Sequence, residues 1–187
     1  IASNIAGMAG DIEAEWSDPN GFAKLWANPG SGGSPYKTGT EAVTELLEVF
    51  VNGLELVRDV RLNGFLGAEQ KGDKPKQAIY WRSQGTAGSL EMNLTGLMML
   101  FDASKLGDDL PDDSKWIAQS IDFQLKEAIG AARAAEGVPI DEALADAARR
   151  AKLVYFRIVT SGLSELFGTR LAGEFGLTAG FSSLDGD

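Results

Sequence analysis

Between Lys74 and Leu106 the chain reads KPKQAIYWRSQGTAGSLEMNLTGLMMLFDASKL, and this stretch leaves little choice of fold. From about Thr86 onward, Leu90, Leu94, Leu97, Met98 and Phe101 recur at helical spacing and trace one apolar face. A helix that apolar needs neighbours, and helical patterns fill the rest of the chain. It is entered through Tyr80-Trp81-Arg82-Ser83, two aromatics, a guanidinium and a hydroxyl at a loop-to-helix junction. Such loops on a rigid scaffold are favoured carriers of function. A purely structural use of the same residues also exists: Trp81 plugs one end of a bundle and Arg82 caps a neighbouring helix.

Around this helix the periodicity predicts others. Ile5, Met8, Ile12 and Trp16 mark a first helix over about 2–16, stopped by Pro19 and Gly21. Phe22, Leu25 and Trp26 suggest a short helical turn. Residues 28–35 then form a Gly-rich loop, which lacks the preceding strand and the Gly-Lys-Ser/Thr ending of a phosphate cradle. Thr38-Gly39-Thr40-Glu41 has capping-box spacing, with Thr38 or Thr40 as the cap. The helix that follows turns Val43, Leu46, Leu47, Phe50, Leu54, Val57 and Phe65 inward. Glu41, Glu45, Glu48, Asn52, Glu55 and Asp59 trace its other side, which reads as a solvated face rather than a cation site. A polar loop over 68–76 leads to the Trp81-Arg82-Ser83 turn, and Ala78 to Trp81 is the single short strand candidate.

Beyond the central helix, Gly107 stands where a left-handed C-terminal residue is wanted. The acidic connector 108–113 lacks the spacing and closing Glu of a calcium loop. Asp112, Asp113 or Ser114 is the expected cap of a helix over about 115–135, with Ile117, Ile121, Leu125 and Ile129 on one face. A last helix opens at Asp141 and Glu142 and carries Leu144, Ala148, Ala151, Tyr155, Ile158 and Leu166. Unbroken to Phe175 it would span roughly 50 Å, and Gly162, Gly168 and Gly173 are its expected points of kinking. The fold class is therefore all-α: an up-and-down helical bundle of four to five main helices, read as a single domain over 1–187.

Composition narrows the chemistry. A formal net charge of −10 argues against nucleic acid and against an anionic membrane surface. No stretch is apolar enough to span a bilayer. The 187 residues include neither cysteine nor histidine. Within this chain a Ser-His-Asp triad and a thiolate centre are impossible, and any metal would rest on oxygen ligands. No catalytic residue and no metal ligand is assigned. The first residue is Ile1 and helical spacing starts at once, so the chain is expected to be a processed or truncated product whose first helix awaits a partner segment.

Leu163-Ser164-Glu165-Leu166, then Arg170-Leu171-Ala172-Gly173-Glu174, then Gly180-Phe181-Ser182-Ser183-Leu184-Asp185-Gly186-Asp187 resemble the C-terminus of imelysin-like proteins, and Tyr80-Trp81-Arg82-Ser83 resembles a second stretch of that family. The resemblance implies bacterial cell-envelope proteins, often iron-regulated and lipid-anchored, built as two packed helical bundles, with this chain as the C-terminal half. The family's Gly-x-His-x-x-Glu motif, on which its metallopeptidase assignment rests, is absent, since the chain has no histidine. The resemblance therefore implies a divalent metal or iron held mainly by an N-terminal half outside this chain. It also implies a site between bundles to which Trp81, Arg82, Ser83, Asp185 and Asp187 contribute as ligand-binding residues. The implied location is the periplasm or outer cell envelope, with a lipid anchor on the N-terminal segment. The implied partner is that N-terminal segment of the same precursor or another copy of the chain. Three functions follow: an envelope binding protein tied to iron uptake, the non-catalytic half of a metallopeptidase, or a structural helical module.

Overall fold

The computed structural model describes residues 2–177, all of whose regular structure is helical. The chain divides after Leu46 into two compact units. The first contains α1 (Ala2–Ser17), α2 (Phe22–Ala27) and the start of α3 (Gly39–Glu55). α1 ends in a tight turn in which Asp18 Oδ1 accepts from the Asn20 N–H at 2.8 Å. Trp16, Phe22, Trp26 and Tyr36 then form a chain of ring contacts, from Trp16 edge-on to Phe22 at 5.0 Å to Trp26 edge-on to Tyr36 at 4.9 Å. The cap of α3 is Thr38: its hydroxyl accepts from the Glu41 N–H at 3.1 Å while the Glu41 carboxylate accepts from the Lys37 N–H. This is a capping box in which the carboxylate reaches one residue further back than usual.

The second unit is the bundle. α3 continues as a π-helical stretch (Leu56–Leu62), and α4 (Thr86–Ser104), α5 (Lys115–Arg133) and α7 (Ala147–Glu165) follow. α5 packs against both α4 and α7, and the π-helical stretch packs against the same two, so four rods enclose one core. Phe50, Leu54, Leu90, Leu94, Ile121, Leu125, Phe156 and Phe167 are wholly buried there. The all-α reading is correct, and the inward positions of α3 and α5 are those that periodicity assigns. Among the described residues no helix is long and apolar enough to cross a membrane.

Several local expectations change. The last helix is not continuous from Asp141: a short α6 (Ile140–Ala145) stops at Asp146, whose extended backbone and carboxylate cap α7 by accepting from the Ala148 and Arg149 N–H groups at 2.9 Å each. That break resets the helical phase. Ala148, Ala151 and Ile158 therefore lie exposed, and Leu153, Phe156, Val159 and Leu163 form the buried face instead. Gly162 does not kink α7, which runs unbroken through it; a Cβ there would meet only the far end of the flexible Gln124 side chain on α5, at 2.7 Å. The irregularity comes later, as a π-helical turn over Leu166–Leu171 followed by α8 (Ala172–Glu174).

The other differences are at loops. The left-handed residue after α4 is Lys105, with φ 58°, and Gly107 is needed for space, since a Cβ would stand 2.8 Å from that of Ala118. Ser114 precedes α5 without a side-chain cap bond, and Asp112–Ser114 form a 3-10 turn. The 78–81 segment is not a strand: residues 78–80 join two 3-10 turns, Pro75–Gln77 and Trp81–Ser83, and Trp81 opens the second.

Candidate functional site

The turn at the mouth of α4 is built by two unusual backbone conformations. Tyr80 and Gln84, neither a glycine, both adopt left-handed φ values of 61° and 59°. Left-handed backbone at non-glycine residues costs free energy and persists only where surroundings enforce it. Here the enforcement is visible. The Tyr80 carbonyl accepts from the N–H groups of Ser83 and Gly85 and from the Ser83 hydroxyl, at 3.1, 3.2 and 3.2 Å. Buried Thr86 donates its hydroxyl to the Ile79 carbonyl at 2.7 Å, and buried Ala78 anchors the approach.

Between those two residues Trp81, Arg82 and Ser83 occupy one 3-10 turn. Trp81 is half-buried and Arg82 exposed. The Arg82 guanidinium lies over the Trp81 ring, 4.4 Å from its centroid. Arg82 donates to no carbonyl and pairs with no carboxylate among the described residues, so it is not the helix cap that the structural alternative required. A stacked guanidinium has lost much of its freedom while keeping its planar fork of donors available, the arrangement suited to bidentate recognition of a carboxylate or phosphate. Ser83 is already engaged by the Tyr80 carbonyl, so its hydroxyl fixes the turn. Asp185 and Asp187 lie outside the described residues, and the structure says nothing about their distance from Arg82.

Periodicity and motif reading missed two charged groupings. Asp73, in the polar loop over 68–76, accepts from Arg150 of α7 at 2.7 and 3.0 Å and from the Gly67 N–H at 2.8 Å. Arg150 also donates to the Gly67 carbonyl at 3.0 Å. The hydrogen bonds it donates to Asp73, set against partial burial, hold the Arg150 guanidinium above its already high ordinary pKa. Second, Glu91 on α4 pairs with Arg133 at the end of α5. Partial desolvation and the hydrogen-bonded Glu91 carboxyl push the neighbouring Glu136 carboxyl up, against the pull of Arg133. Both groupings tie distant segments together, and neither had a signal in spacing, because the partners are far apart in the chain.

A groove of about 610 Å³ opens where α4 passes into α5, lined by Phe101, Asp102, Lys105, Asp108, Lys115 and Asp122 among others. Its three aspartates outnumber its two lysines, and the Lys115 ammonium donates to the Asp108 carbonyl at 2.9 Å. Among the described residues no three carboxylates converge on a point where a metal could sit. With no histidine or cysteine in the sequence, the imidazole and thiolate donors of the common zinc sites cannot come from this chain. The isolated chain, loaded with zinc and then dialysed, is accordingly expected to retain well under one equivalent by mass-spectrometric metal analysis. Stoichiometric retention would overturn that expectation.

Compared with known families, residues 1–162 match the profile described as imelysin, peptidase M75. The matched range contains the Tyr80 to Ser83 turn, whereas the tail that also carries the resemblance lies beyond it. No curated protein and no solved structure matches the chain.

Proposed function

The chain belongs to the imelysin family, and from that premise we propose that it is a ligand-holding module of a bacterial envelope protein tied to iron acquisition. On this reading its work is recognition. The Arg82 turn meets an anionic group, a carboxylate of a small ligand or of a metal chelate, in a cleft between two helical bundles. The metal's own donors come mainly from a segment other than this chain, because no imidazole or thiolate is available here. The lipid-anchored, periplasmic setting is part of the same proposal.

One observation supports it above the rest: Arg82 is stacked on Trp81, exposed, and free of any internal ion pair among the described residues. A cation used for stability would ordinarily have a partner within the fold, as Arg150 does. The test separates geometry from charge. Arg82→Lys in the intact protein should leave the melting temperature within about 1 °C of the parent, as surface substitutions usually do. It should weaken citrate binding, followed by titration calorimetry, by about tenfold, because an ammonium cannot reproduce two parallel N–H···O bonds. Arg82→Ala should weaken it further. Unchanged affinity in both variants would remove Arg82 from the site.

A further inference from the structure

α1 is sixteen residues long, and every residue in it is exposed. Ile5, Met8, Ile12 and Trp16 keep 61, 57, 59 and 49% of their surface open, so the stripe that periodicity marks as a buried face faces solvent along the whole helix. Helices this short are marginal in water by themselves and take their stability from an apolar face that is covered. The stripe ends in a groove of about 410 Å³ formed by Asp11, Ile12, Glu15, Trp16 and Phe22. That groove is well defined because Trp16 is held edge-on against Phe22, within the ring chain that reaches Tyr36.

The charges beside the stripe identify its partner. At 100° per residue, Asp11 and Glu15 border Met8 and Ile12 on one side, and Glu13 borders the stripe on the other. α1 carries these three carboxylates and no lysine or arginine. A second copy of α1 laid along the stripe would bring acidic borders against acidic borders, a like-charge juxtaposition that interfaces select against. We propose that α1 is the docking face for an amphipathic helix of a partner polypeptide whose apolar stripe is bordered by lysine or arginine. The partner's leucine- or methionine-sized side chains cover Ile5, Met8 and Ile12. A basic side chain enters the groove beside Trp16, its aliphatic stem on the ring and its charge between Asp11 and Glu15. This inference does not depend on the Arg82 reading.

The experiment uses the full chain and two synthetic helices as long as α1, with the same leucine stripe and either lysine or glutamate borders. Titration calorimetry should show one-to-one binding of the lysine-bordered helix. Binding of the glutamate-bordered twin should be weaker by about tenfold or more at low salt, with the difference shrinking as salt rises. Ile12→Glu, a substitution at an exposed position, should abolish binding of the lysine-bordered helix. Glu13→Lys with Glu15→Lys, which leaves the stripe intact, should reverse the preference between the twins and so decides the matter even if Ile12→Glu disturbs α1. Equal binding of both helices would overturn the proposal, as would no binding of either. So would a concentration-dependent dimer that disappears in Ile12→Glu, which would make the occupant a second copy, or cosedimentation with phosphatidylcholine vesicles lost in the same variant.

Discussion

Asp73→Ala is expected to destabilise the bundle by about 3 kcal/mol, the lower end of the range for breaking one side of a buried ion pair. Asp73 keeps only 6% of its side chain exposed and Arg150 14%. Removing the carboxylate leaves the Arg150 guanidinium with the Gly67 carbonyl as its remaining acceptor among the described residues. It also strands the Gly67 N–H, which has Asp73 as its acceptor. The loop cannot easily relax around the loss: a Cβ at Gly67 would lie 2.6 Å from the Gly72 carbonyl carbon, so the backbone folds on itself with no room to spare. Urea unfolding of Asp73→Ala, Arg150→Met and the double variant measures the coupling, and the double variant should recover part of the loss because no charge is left unpaired. Glu69→Ala is the internal control. Its pair with Lys71 is open to solvent on both sides, 71 and 85% exposed, and its loss should be undetectable. A cost for Asp73→Ala as small as that control would mean the pair is solvated in practice.

Much of the fold was legible because helical periodicity reports burial directly. Leu47, Phe50, Leu54 and Val57 on α3, and Ile117, Ile121, Leu125 and Ile129 on α5, are buried as their spacing requires. The failure on α7 has a definite cause. Extending one helix from Leu144 fixes the phase of everything after it, and a single capping aspartate at Asp146 erases that phase. The pattern 153, 156, 160, 163 was present in the sequence all along, but an unrecognised N-cap hid which of two stripes faced the core. The site was legible only as a location. That Trp81, Arg82 and Ser83 share one turn follows from their adjacency. That Arg82 stacks on Trp81, and that Ser83 is consumed by the Tyr80 carbonyl, depends on left-handed backbone at Tyr80 and Gln84, which no composition signal marks. The Asp73 and Arg150 pair was illegible for a different reason: its partners are 77 residues apart, and each alone resembles an ordinary surface charge.

Phe167→Ala should be the most damaging single change in the core, at about 3–5 kcal/mol. Phe50 of α3 stacks on Phe167 with centroids 4.4 Å apart and planes within 6°, while Phe101 of α4 meets both rings edge-on at 6.1 and 5.5 Å. Three segments distant in sequence therefore close on one aromatic cluster, and Phe167 enters it from the π-helical turn 166–171. That turn, rather than a regular helix, carries Leu166, Phe167 and Leu171 into the core together. Truncating Phe167 opens a cavity against two rings that are themselves held by their helices, so little collapse can refill it. For a bundle of this size the loss corresponds to a fall in melting temperature on the order of 10 °C. Phe101→Ala should cost less, since Phe101 lies at the edge of the cluster and retains 6% exposure where the other two retain none. Phe123→Ala, on a ring 61% exposed on α5, should change stability by under about 0.5 kcal/mol. Thermal unfolding of the three variants tests the order directly. A Phe167→Ala variant melting with Phe123→Ala, instead of well below Phe101→Ala, would show that the π-helical turn is not fastened to the core through this ring.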